Sequence, residues 1–86
     1  MKIENKIIEL IAVGASISAN CQPCLKYHMG KALESGADMG EIEQAIETGR
    51  MVRKGAAAKM DVFALKMNKS DATESASVDK DCNCNN

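Results

Sequence analysis

Two cysteines and an imidazole carry the covalent chemistry open to this 86-residue chain: Cys21-Gln22-Pro23-Cys24, with His28 four residues after the second cysteine. On a helix, Cys24 and His28 form an i,i+4 pair on one face. A CxxC holds two thiols close enough to cycle between dithiol and disulfide. A neighbouring imidazole can take a thiol proton and leave the thiolate, which is the nucleophile. The spacing alone leaves three readings open. The group is a redox dithiol with its base, part of a metal site built from Cys21, Cys24 and His28, or inert packing.

The elements that must present these side chains are helical. Ile3, Ile7, Leu10, Ile11, Gly14 and Ile17 recur at helical spacing, which predicts a first amphipathic helix over residues 3–19. Asn20 to Gln22 interrupt it. Pro23 suits the first turn of a second helix, where its missing N–H is not needed. That helix is expected to run to about Ser35, with Gly36 as terminator. Asp38 and Glu41 have the D-x-x-E form of a helix start. A third helix then carries Ile42, Ala45, Ile46, Gly49 and Val52 on one face. Gly55 marks a break or kink, and Ala56, Met60, Phe63, Ala64 and Met67 define a fourth helix. From Ser70 the chain turns to Ser, Asp, Ala and Thr, so residues 1–69 read as one helical domain and 70–86 as a flexible tail ending in a CxC, Cys82 and Cys84.

Within this frame the two cysteines are not equivalent. The positive end of the second helix favours a thiolate at Cys21, nearer the cap, whereas the i,i+4 imidazole favours Cys24. Glu9, flanked by Lys6 and Val13, reads by itself as a solvated side chain, and Tyr27 as packing or interface. Met51, Met60 and Met67 fit a core stripe. Lys26, Lys31 and the run from Arg50 to Lys54 fit solvated faces. Gly49 and the Gly55-Ala56-Ala57-Ala58 run suit close helix contacts.

Composition narrows the class of protein. Hydrophobic residues make up 45% of the chain, yet there is one Phe, one Tyr and no Trp. A core of small aliphatics is thin for so short a chain, which predicts assembly with further copies. The net charge of −1, without clustered basic residues, argues against a nucleic-acid surface. No apolar run approaches the ~20 residues of a membrane span. Charges at Glu4, Lys6 and Glu9 interrupt the N-terminal apolar segment, and Asn20 is a poor residue before a lipidated cysteine. The mature chain is therefore expected to begin at Met1 and to be cytoplasmic. In that compartment a CxxC is catalytic or metal-binding more often than structural. No Gly-rich phosphate loop follows a strand, so no flavin, haem or nucleotide cofactor is expected.

Glu9, Cys21, Cys24 and His28 together match the pattern E-x11-C-x2-C-x3-H. Over about residues 3 to 68 the chain resembles the AhpD-like branch of the carboxymuconolactone decarboxylase family. The resemblance implies an all-α, AhpD-like helical bundle assembled into a homo-oligomer, a trimer or hexamer. It implies an alkyl hydroperoxidase or a thiol-disulfide oxidoreductase, since the family's decarboxylases generally lack the paired cysteines. It implies that Cys24 attacks the peroxide and Cys21 closes the disulfide, with His28 as base and Glu9 orienting His28 from the neighbouring helix. The expected partners are a hydroperoxide or disulfide substrate and a thioredoxin-like or lipoyl dithiol as electron donor. Cys82 and Cys84 fall outside the family pattern. They read as a tethered dithiol relay, as soft metal ligands completing a Cys21, Cys24, His28 set, or as incidental. About 14 residues separate Met67 from Cys82, a typical reach of roughly 20 Å for a flexible segment.

Overall fold

The computed structural model describes residues 2–70, with side chains as far as Met67. Three helices account for most of them: α1 (Asn5–Ser18), α2 (Gln22–Glu34) and α3 (Met39–Ser70). No strand occurs among the described residues, so the fold is all-α, consistent with the AhpD-like helical fold expected. The Cys82/Cys84 pair lies outside the described residues. The chain divides into two units, Met1–Gly55 and Ala56–Asn86.

The two short links in the first unit use the same device. At the end of α1, Asn20 takes a left-handed conformation, φ 57°. Its N–H donates to the Ile17 carbonyl, and the Cys21 N–H donates to that of Ser16. At the end of α2, Gly36 takes φ 100°, with Gly36 N–H to Leu33 O and Ala37 N–H to Ala32 O. Both are Schellman endings, which satisfy carbonyls that the helix terminus would otherwise leave open. Asn serves at the first because its short polar side chain tolerates the left-handed region. The start of α3 is the expected capping box. Glu41 N–H donates to Asp38 Oδ1 at 2.8 Å, and Asp38 N–H to Glu41 Oε1 at 3.1 Å. The other Glu41 oxygen pairs with Lys6 Nζ at 3.2 Å and ties this start to α1.

Val13, Ala32, Ala37 and Ile42 form the buried centre of the unit, flanked by Leu10, Leu25, Met29, Ala45 and Ile46. The face of α1 turned inward is thus Val13 and Ser16. The stripe that periodicity singles out is split: Leu10, Gly14 and Ile17 are half-buried, whereas Ile3, Ile7 and Ile11 are exposed. α1 and α3 approach closely where two glycines meet. A Cβ on Gly14 would lie 3.1 Å from the Ala45 carbonyl oxygen, and one on Gly49 would run into the Gly14 carbonyl oxygen and lie 2.9 Å from Ile17 Cβ. Ser18 Oγ donates to the Gly49 carbonyl at 3.0 Å across the same crossing. Gly49→Ala gains about 1 kcal/mol of helix propensity but forces backbone against backbone, an overpacking cost of about 1–3 kcal/mol. The clash wins because a carbonyl in a helix cannot rotate away. Urea unfolding should show a net loss of stability, whereas Gly30→Ala, with open space around the new methyl, should show none.

Two expectations need correction. Gly55 does not end a helix, since α3 runs through it from Met39 to Ser70. One interior glycine costs about 1 kcal/mol relative to Ala, and the strong helix formers on both sides, Arg53, Lys54 and the three alanines after it, outweigh that. The methionines are not a core stripe either. Met51 and Met60 are 65% and 64% exposed, and Phe63 59%. Met60 and Phe63 belong to the second unit, whose described residues are one helical segment, and a lone helix has nothing of its own against which to bury an apolar stripe.

Candidate active site

The Schellman ending of α1 delivers Cys21 directly to the start of α2. The same residue closes one helix and caps the next, with extended backbone at φ −110° and ψ 99°. Its Sγ accepts the Cys24 backbone N–H at 3.3 Å, in the place usually filled by a Ser or Asp oxygen. Pro23 stands in the first turn, as its spacing predicts. Cys21 and Cys24 are joined as a disulfide, with Cα atoms 5.3 Å apart. Cys21 is half-buried and Cys24 exposed. The helix start that would stabilise a thiolate therefore acts on Cys21 through a specific N–H, while Cys24 keeps its place one turn before His28.

His28 has a partner on the other helix. Its Nδ1 lies 2.7 Å from Glu9 Oε1, with the two side chains 31% and 22% exposed. A carboxylate only accepts hydrogen bonds, so Nδ1 carries the proton of this bond, and in the neutral ring Nε2 keeps its lone pair. Glu9 stands on the same face of α1 as Val13 and Ser16, three and four residues apart, and that face meets α2. This is why Glu9 is not the solvated side chain its immediate neighbours suggest. Tyr27 is exposed, edge-on to the His28 ring at 5.0 Å, with Lys31 Nζ 5.8 Å from the Tyr27 ring centre.

Among the described residues no three His, Cys, Asp or Glu side chains are grouped to hold a metal ion. A metal set of Cys21, Cys24 and His28 would draw on the same two sulfurs in their reduced form. A groove of about 450 Å³ between α1 and α3 is lined by residues such as Ile7, Leu10, Ile11, Gly14 and Val52 and touches none of the four reactive residues. A smaller one, about 190 Å³, lies beside the disulfide. Ser16, Ile17, Asn20, Cys21, Gln22, Leu25 and Arg53 line it.

Arg53 is a residue that sequence reasoning missed. It is exposed, as a solvated face predicts, yet its Nη1 donates to Asn20 Oδ1 at 2.9 Å and to the Ile17 carbonyl at 3.3 Å. It thereby braces the left-handed turn that positions Cys21. An Asn directly before the first cysteine was a readable sign of that turn. Nothing local marks its arginine, more than thirty residues away.

A helical fold with a CxxC at a helix start, backed by a Glu–His pair, defines a class of small thiol-bearing helical proteins. The comparison with family profiles agrees: the carboxymuconolactone decarboxylase family matches residues 2–65, and the chain belongs to that family. No curated protein and no solved structure matches it. No helix among the described residues is long and apolar enough to cross a membrane.

Proposed function

We propose that this protein is a thiol-dependent oxidoreductase that cycles Cys21 and Cys24 between dithiol and disulfide while reducing a hydroperoxide or a protein disulfide. One observation carries the reading: a CxxC closed at a helix start, with an imidazole one turn on whose Nδ1 is held by a carboxylate at 2.7 Å. His28 Nε2 takes the Cys24 proton, and Glu9 positions the ring and balances the charge it gains, as a carboxylate does for an imidazole base. The Cys24 thiolate attacks the outer peroxide oxygen. The O–O bond breaks, the alcohol leaves with a proton, and Cys24 becomes a sulfenic acid. Cys21 attacks that sulfur, expels water and closes the disulfide. An outside dithiol, of thioredoxin-like or lipoyl type, returns two electrons.

The test is stoichiometric. Fully reduced protein given one equivalent of an alkyl hydroperoxide should consume it, lose two thiols, and show the Cys21–Cys24 peptide lighter by two hydrogens in mass spectrometry. Persistent sulfonic acid on Cys24 with Cys21 still a thiol is the result against it.

The working form we propose is a homo-oligomer. Val13 and Ile42 are the large side chains fully buried among the described residues, while Ile7, Ile11 and Val52 stay exposed along the apolar α1–α3 groove. A second copy covering that groove is what such a core requires. Sedimentation of residues 1–69 should give a multimer at micromolar concentration. A stable monomer would defeat the proposal.

A further inference from the structure

The disulfide has two sides, and they are chemically different. Cys21 lines the groove of about 190 Å³, together with Asn20, Gln22 and Arg53, and Cys24 does not. Cys21 is therefore the half of the disulfide that this groove presents to an arriving thiolate. Arg53 uses Nη1 for the Asn20 turn, and a guanidinium carries five N–H donors in all. Further donors remain to hold an incoming carboxylate beside the sulfur.

We propose that this groove docks the chain's own CxC segment, residues 79–84, as the dithiol that reopens the Cys21–Cys24 disulfide. The inference rests on the reading of that CxxC as a redox pair. Three facts favour this occupant. The segment Asp79-Lys80-Asp81-Cys82-Asn83-Cys84 sets one carboxylate, Asp81, directly beside Cys82, with Asp79 two residues before it. Residues 71–86 hold four acidic side chains, Asp71, Glu74, Asp79 and Asp81, against one basic, Lys80, a sign opposite to that of Arg53. Eleven residues lie between Ser70 and Cys82, a tether of up to about 40 Å when extended.

The exchange balances in two steps. The Cys82 thiolate attacks Cys21 Sγ, the Cys21–Cys24 bond breaks, and Cys24 leaves with the electron pair one turn before His28. Cys84, its proton lost to solvent, attacks Cys82 and expels the Cys21 thiolate. Two electrons have moved from the tail dithiol to the site, and a disulfide joins Cys82 to Cys84 until an outside dithiol reduces it. Oxidation of Cys24 by the next peroxide draws the exchange forward.

The experiment traps the mixed disulfide in the full-length chain. A Cys24→Ser/Cys84→Ser variant keeps only Cys21 and Cys82. A Cys21→Ser/Cys84→Ser variant keeps only Cys24 and Cys82. Both are treated with diamide, a thiol oxidant, and the crosslinks are mapped by mass spectrometry. We expect Cys21–Cys82 to form about tenfold faster than Cys24–Cys82, and to slow by about tenfold with Arg53→Glu or in high salt, because a charge at the rim of a docking site sets the encounter rate. Arg53→Lys, which keeps the charge, should retain most of the rate. Non-reducing electrophoresis shows whether the crosslink joins residues of one chain or of two copies, and either outcome supports the docking. Equal rates for the two cysteines, or no response to Arg53→Glu and to salt, would overturn it. The underlying redox reading is read separately in Cys82→Ser/Cys84→Ser, where peroxide should still close Cys21–Cys24. Failure of the crosslink with that closure intact condemns the relay alone.

Discussion

His28→Ala should slow the reaction of Cys24 with hydroperoxide by about 10²–10⁴, the usual range for loss of a positioned general base. The fully reduced chain carrying Cys82→Ser and Cys84→Ser isolates the effect, since only the two site thiols then react. Alkylation of Cys24 by iodoacetamide, followed against pH, should lose its fast reaction near neutrality. Glu9→Gln should act in the same direction but more weakly. The amide oxygen can still accept the Nδ1 proton, so the ring keeps its tautomer, but the charge that stabilises the imidazolium is gone. The double variant should be little worse than His28→Ala alone, because groups acting as a unit are not additive. If neither substitution moves the Cys24 profile, the Glu9–His28 pair bound at 2.7 Å is structural. The helix start, acting on Cys21, then becomes the source of the reactive thiolate.

The second large effect separates the two cysteines. Cys24→Ser should abolish hydroperoxide consumption down to the uncatalysed rate, because no other described thiol stands beside His28. Cys21→Ser should keep the first encounter and lose turnover. One equivalent of peroxide is consumed rapidly, a sulfenic acid trappable by dimedone appears on Cys24, and excess peroxide carries it to the sulfinic acid. The asymmetry follows from position. Cys24 is the exposed cysteine one turn before the imidazole, and Cys21 is the half-buried one whose sulfur already receives a backbone N–H. A fast single turnover in Cys24→Ser and none in Cys21→Ser would reverse the roles.

Much of this site was legible before any fold was known. Short-range rules act through one or two turns of chain, and residues at those separations meet whatever the rest of the molecule does. The start of α2 at the cysteines, the proline in its first turn, the glycine ending at Gly36 and the Asp38–Glu41 capping box all follow from such rules. The shared face of Cys24 and His28 follows from helical spacing. Glu9 came from the family resemblance, because nothing in its own neighbourhood distinguishes it from a solvated carboxylate.

Where sequence reasoning failed, the cause is the same each time. Periodicity shows that a helix has an apolar face but not what that face meets. On α1 it marked Ile3, Ile7 and Ile11, while the first unit buries Val13 and Ser16. It also placed Met51, Met60 and Met67 in a core that does not cover them. At Gly55 a local penalty of about 1 kcal/mol was read as a break, and the helix formers around it outweighed it. The amino-acid sequence by itself thus determined an all-helical chain with two thiols at a helix start and an imidazole one turn on. Only the tertiary structure decided that Glu9 reaches His28, that Gly14 and Gly49 bring α1 against α3, and that Arg53 braces the turn before Cys21. Those contacts join residues 19 to 35 positions apart, and they exist only after the helices have packed.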